Sequence, residues 1–216
     1  MFILNVLFYF VLQSTFYINK DKALESVNEI KELMEKSSKF ISVSGLAAIL
    51  AGIYALAGAY IATLVITPET HLIVTLEFMA IIALSVLVAA AVTAGILSYC
   101  KSKKTGQSFF SRLTYRALWN FSLPMLAGGI VCISILMHEY YDILASVMLL
   151  FYGLALVNAS KFTYSSVAWL GYAFICLGAV DCFWAGHSLL FWTIGFGGFH
   201  ILYGILFYLH YERKKS

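Results

Sequence analysis

The chain has 216 residues, 62% of them hydrophobic and 12% charged, with a formal net charge of +3. Soluble domains carry about 25% charged residues, so water cannot be the main solvent of this chain. A membrane span needs about 20 apolar residues, and the length accommodates six spans with little left for a soluble domain.

In chain order, residues 1–19 come first, and Phe2 to Ile18 is apolar but short and broken by Asn5, Gln13 and Ser14. A basic leader and a small-residue cleavage pattern are both missing, so a cleavable signal is not expected. A seventh span, an interfacial helix and a mis-assigned start codon are the three alternatives. Residues 20–40 then read as a charged amphipathic helix with Ala23, Val27, Ile30 and Met34 on one face. A cytoplasmic arm along the membrane or the loops is the expected role. A short coiled-coil surface is the alternative, and fewer than three heptads weigh against it.

Residues 41–216 form the transmembrane domain. Apolar windows run from Ile41 to Ile66, Leu72 to Tyr99, Ala117 to Met137, Tyr141 to Asn158, Ser166 to Trp184 and Leu189 to Tyr208. They are too long for strands and lack the alternation of a barrel, which predicts an all-α, polytopic transmembrane helix bundle of six core spans, or seven with the N-terminal segment. Pro124 within the third window removes one backbone hydrogen bond and predicts a kink.

The cations orient the bundle. Lys20, Lys22, Lys31, Lys36 and Lys39 precede the first window; Lys101, Lys103, Lys104, Arg112 and Arg116 lie between the second and third; Lys161 separates the fourth and fifth; Arg213, Lys214 and Lys215 end the chain. The alternate connections at 67–71, 138–139 and 185–188 contain none. The positive-inside rule therefore expects the cell inner membrane with the C-terminus cytoplasmic. The stretch from Lys101 to Arg116 adds Phe109, Phe110, Leu113 and Tyr115 to five cations and no acid, the mixture of a segment at the headgroups of an anionic leaflet. With so small a net charge and two spans beside it, lipid rather than nucleic acid is the expected partner.

Leu126 to Cys132 (LAGGIVC) echoes Leu177 to Cys182 (LGAVDC), and Phe151 to Leu154 (FYGL) echoes Leu202 to Ile205 (LYGI), an offset of 50 to 51 residues. True repetition would mean tandem helix hairpins in one orientation; chance echoes among apolar helices are the alternative. Gly45, Ala48, Gly52, Ala55 and Ala59 form a ridge of small residues along the first window, and Gly197 and Gly204 flank His200 in the last. Such ridges let backbones approach closely in lipid, so both helices are expected to be central.

From Ile41 to Tyr211, span number, glycine-bearing helices and short outer turns resemble small, uncharacterised six-span bacterial inner-membrane proteins built from hairpins, in the general manner of the acid-resistance membrane protein family. The resemblance implies a bacterial inner membrane and carries over no functional residue.

The outer side holds Glu69, His71, Glu77, His138, Glu139, Asp142, Asp181 and His187 with no cation. Carboxylates and imidazoles bind divalent cations or titrate, but no metal-binding spacing occurs, and solvated residues at headgroup level are the plainer reading; neither metal nor cofactor is expected. Three groups lie deeper: from the rise per residue, Glu77 by about 8 Å, Asp181 by about 5 Å and His200 near the midplane. Intramembrane ionisable groups are default functional candidates, although His200 alone reads more plainly as a helix-to-helix hydrogen bond. The favoured reading is an outward-opening polar pocket of Glu77, Asp181, His187, His200 and Tyr203, walled by Trp184, that binds a proton or small cation, transports it or senses acid. The competing reading is a non-catalytic scaffold or accessory subunit that self-associates or binds a membrane partner. Enzyme chemistry is least supported, since no catalytic triad spacing, phosphate loop or haem pair occurs. Cys100, Cys132, Cys176 and Cys182 lack CxxC pairing and read as packing residues, a bridge between the outer Cys132 and Cys182 being the alternative.

Overall fold

Apolar blocks of this length can satisfy their backbone hydrogen bonds without water only by coiling into helices. In a computed structural model, residues 24, 26–28, 44–65, 72–104, 106, 108–184 and 186–213 are described, apart from the side chains of residues 72–76. The chain divides into two units, Met1–Lys39 and Phe40–Ser216. In the first unit residues 24 and 26–28 are helical, with Leu24 and Val27 exposed. The apolar segment 1–19, most of the amphipathic stripe, and the connection 66–71 with Glu69 and His71 lie outside the described residues.

The second unit is all-α among its described residues: α1 (Gly45–Val65), α2 (Leu72–Lys104), α3 (Arg112–Met137), α4 (Leu144–Ser160), α5 (Ser166–Asp181) and α6 (Ser188–Glu212). Five are long and apolar enough to cross a bilayer: α1, α2, α3, α4 with the 3-10 turn at Tyr141–Ile143 before it, and α6. The fifth window is shorter as a helix than as a sequence, because α5 has 16 residues. The chain turns out of it where Trp184 N donates to the Asp181 carbonyl and Cys182 N to that of Gly178.

Packing follows the glycines. A Cβ on Gly153 would lie 2.7 Å from the Gly171 carbonyl oxygen and one on Gly171 2.7 Å from that of Gly153, so α4 and α5 cross backbone to backbone. A second crossing joins α1 to α6: a Cβ on Gly45 would meet Gly204 O at 2.8 Å, one on Gly204 would meet Gly45 O at 2.6 Å, and one on Gly52 would meet Gly197 O at 2.7 Å. Ala55 and Ala59 are buried on the same helix, while Ala48 is half-buried. Leu149, Leu156, Val167, Leu170 and Phe174 make the core of α4 and α5, and Phe191, Phe196 and Phe199 of α6 pack against it. The helices follow one another in space as α2, α1, α6, then α4 and α5, with α3 against α4. Consecutive α2 and α3 thus take opposite flanks and leave Ile81, Leu84 and Val88 of one, and Leu118, Leu126 and Ile130 of the other, exposed. Apolar residues in these positions suit lipid contact.

Helix ends have specific causes. α3 runs unbroken through Pro124 and stops in a left-handed turn, with Glu139 at φ 62°. Tyr140 N donates to the Ile135 carbonyl and Glu139 N to that of Leu136, the 6→1 and 5→2 bonds of a Schellman motif in which glutamate occupies the usual glycine position. His138 belongs to this stop, its Nδ1 lying 2.8 Å from the Ser134 carbonyl oxygen and its ring stacked on Tyr140.

At the basic end of the unit, which carries Lys101 to Lys104, Arg112, Arg116 and Arg213, a single carboxylate ties three helices together. Glu212 Oε1 accepts from Lys101 Nζ at 2.7 Å and from Gly45 N, the first amide of α1, at 3.2 Å. The Lys101 ammonium also lies 5.5 Å from the Phe207 ring centroid. Beside it, burial and then the charges of Glu212 and Tyr211 push the Tyr164 phenol up to about 12, so it stays neutral at physiological pH. A partly buried pair that also caps a helix amide is worth about 1–2 kcal/mol. Glu212→Ala is expected to lower the thermal midpoint in detergent, and 0.5 M salt should narrow the gap from the parent; equal midpoints at low salt would show that the tie carries no load.

Candidate functional site

Three polar pairs run through the apolar packing of α4, α5 and α6. The first stands at the end opposite the cations. Ser146 is the third residue of α4 and Asp181 the last of α5. Close packing of these helices brings Ser146 Oγ to donate to Asp181 Oδ2 at 2.7 Å, with both residues buried. Asp181 Oδ1 is equally shut off from solvent and has no hydrogen-bond partner. Among the described residues no cation accompanies the carboxyl; the nearest compensation is the positive end of the α4 dipole. Ser188 Oγ, at the start of α6, donates to the Asp142 carbonyl at 2.9 Å and ties the connection before α4 to the α6 entrance.

The second pair lies about 9 Å deeper, the rise over the six residues from Ser146 to Tyr152. Tyr152 Oη and His200 Nε2 are 2.7 Å apart. His200 is the first residue after a π-helical stretch of α6, Thr193–Phe199, and is buried. Its ring meets Phe174 edge-on at 5.3 Å and lies parallel to Phe196 at 6.2 Å. Nδ1 has no hydrogen-bond partner. The tautomer sets the direction of the pair: Tyr152 donates to a bare Nε2 when the ring proton is on Nδ1 and accepts when it is on Nε2.

The third pair joins Tyr203 Oη to Ser166 Oγ at 3.1 Å, at the start of α5 and therefore toward the basic end. Ser166 and Asp181 stand about 22 Å apart along α5 by the rise per residue. Tyr203 and Asp181 therefore do not line one pocket, and the five residues grouped together from sequence are distributed differently. Glu77 is exposed on α2. His187 is exposed just before α6, with its ring 6.1 Å from that of the exposed Trp184. Asp181, His200 and Tyr203 are the members that point inward, each held by a hydroxyl.

None of those hydroxyls, on Ser146, Tyr152 and Ser166, was singled out as a site residue from sequence. A serine in an apolar helix has no distinguishing pattern, whereas Tyr152 had one: Tyr152-Gly153 recurs as Tyr203-Gly204, and both tyrosines hold a polar residue while both glycines sit at backbone crossings. No group of three or more metal-ligating side chains occurs among the described residues. All four cysteines are free, so Cys132 and Cys182 are not bridged. No family model matches the chain, and neither a curated protein nor a solved structure is similar to it.

Proposed function

We propose that this chain is a six-span protein of a bacterial inner membrane, its basic end in the cytoplasm, which takes up protons from the outer side on Asp181. One observation carries the proposal: Asp181 is buried and its Oδ1 has no hydrogen-bond partner. An orphaned carboxylate oxygen in an apolar interior costs free energy that a bound proton or small cation relieves.

The membrane reading is supported by five apolar helices of spanning length and by the grouping of Lys101 to Lys104, Arg112, Arg116, Lys161 and Arg213 at one end of them. α5 acts as the sixth span, lengthened by the Cys182 to Trp184 turn, where exposed Phe183 and Trp184 suit the interfacial layer. The shared environments of Tyr152-Gly153 and Tyr203-Gly204 favour a tandem hairpin origin.

Proton binding has a definite geometric consequence. On Oδ1 of Asp181 it leaves the Ser146 bond to Oδ2 intact. The pairs Asp181 to Ser146, His200 to Tyr152 and Tyr203 to Ser166 succeed one another from the outer end inward.

The test uses the full chain in liposomes loaded with a pH-reporting dye, with infrared spectroscopy of the carboxyl band in parallel. Wild type is expected to take up protons on external acidification and to show a carboxyl band that Asp181→Asn removes and His200→Gln retains. Uptake should fall at least tenfold in Asp181→Asn. Wild-type uptake in Asp181→Asn would sink the proton reading and favour the scaffold alternative, for which the exposed apolar face of α2 supplies a surface.

A further inference from the structure

The connection between α2 and α3 is held from both sides. Phe109 packs edge-on against Tyr99 of α2 at 5.7 Å, and Ser111 caps α3 by accepting from Thr114 N at 3.2 Å. Between these anchors Phe110 is 87% exposed, displayed by a fixed loop, and Tyr115 is exposed on the first turn of α3.

The cations around it divide into two kinds. Lys101 is committed to Glu212. Lys103, Lys104, Arg112 and Arg116 are exposed, and among the described residues no carboxylate pairs with any of them. Arg112 and Arg116 are four residues apart and share one face of α3. Arg112, the first residue of α3, also stands where a helix ordinarily favours acids, and the first turn has none, so its guanidinium adjoins the positive end of the dipole. An anion there relieves a repulsion that no carboxylate among the described residues offsets. The exposed phenylalanine distinguishes the anion, because a soluble phosphate gives Phe110 nothing to enter, whereas a phospholipid supplies headgroup and hydrocarbon at adjacent depths.

We infer that Lys103, Lys104, Arg112 and Arg116 form a docking surface for anionic phospholipid headgroups, with Phe110 and Tyr115 entering the acyl boundary beside them. The inference rests on the chain being embedded in a bilayer and is independent of proton uptake at Asp181.

The full chain is reconstituted in phosphatidylcholine bilayers with spin-labelled phosphatidylglycerol or phosphatidylcholine, and the motionally restricted fraction of each probe gives its relative association. Each cation near an anionic surface is worth about a fivefold preference. Wild type is expected to favour phosphatidylglycerol several-fold, with the preference reduced in 0.5 M salt. Replacing Lys103, Lys104, Arg112 and Arg116 by Gln should abolish it, while Lys161→Gln, which removes an exposed cation from another connection, should leave it unchanged. Equal association of the two lipids with wild type, or a preference that survives the fourfold replacement, overturns the inference. Because the replaced residues are exposed, unaltered far-ultraviolet dichroism should accompany every result.

Discussion

Gly153→Val is expected to be among the most destabilising single substitutions in the α4 to α5 pair, lowering stability by about 2–4 kcal/mol. The first carbon of the new side chain would lie 2.7 Å from the Gly171 carbonyl oxygen and 2.9 Å from Ile175 N. Those are backbone atoms of the neighbouring helix, so no rotamer change relieves the clash. The helices must separate, and separation also loosens Leu149, Leu156 and Phe174 in the core between them. Gly171→Val should match it, since the approach is reciprocal. Gly129→Ala and Gly198→Ala are the controls, because a Cβ on either meets nothing within 4 Å. Thermal midpoints in one detergent check the comparison. A Gly153→Ala midpoint indistinguishable from that of Gly129→Ala would mean that α4 and α5 are not in backbone contact.

Ser146→Ala is the second large effect, through chemistry rather than volume. It deletes the hydroxyl that donates to Asp181 Oδ2 and leaves a buried carboxyl with no partner on either oxygen. A polar group deprived of its partner away from water costs about 1–3 kcal/mol, whereas removing both members of a pair in favour of apolar groups of similar shape costs much less. The combination of Ser146→Ala with Asp181→Leu should therefore be more stable than Ser146→Ala alone. Additive losses in the double-mutant cycle would show that the serine and the carboxyl act separately. The cycle reports the pair's contribution to folding, so it stands whether or not proton uptake is found.

The helical class and the five long helices were legible because their apolar blocks exceed any strand and are bounded by charge or turn residues. α5 was the hard case: Cys182 to Trp184 is as apolar as the helix before it, and only the backbone bonds at Gly178 and Asp181 reveal the turn. Depth was legible for Glu77, the sixth residue of α2, because the helix starts where its window does, and not for Asp181, which ends α5 instead of lying inside it. Facing was not legible: Glu77 is exposed and Asp181 buried. α2 is apolar on every side, so no stripe marks the face it turns to α1, and hydropathy cannot tell lipid from protein. The small-residue spacing of Gly45, Gly52, Gly197 and Gly204 carries more information, because steric room has a direction that apolarity lacks.

The wide turn ahead of His200 alters how α6 must be counted. Bonds from residue i to i+5 accommodate an extra residue per turn, so Thr193 to Phe199 interrupts the ordinary helical phase between Trp192 and His200. Wound as a plain α-helix with that residue removed, the segment would swing the imidazole by about 100° around the axis and away from Tyr152. The aim of the buried base is thus set by a surplus of one residue in the backbone.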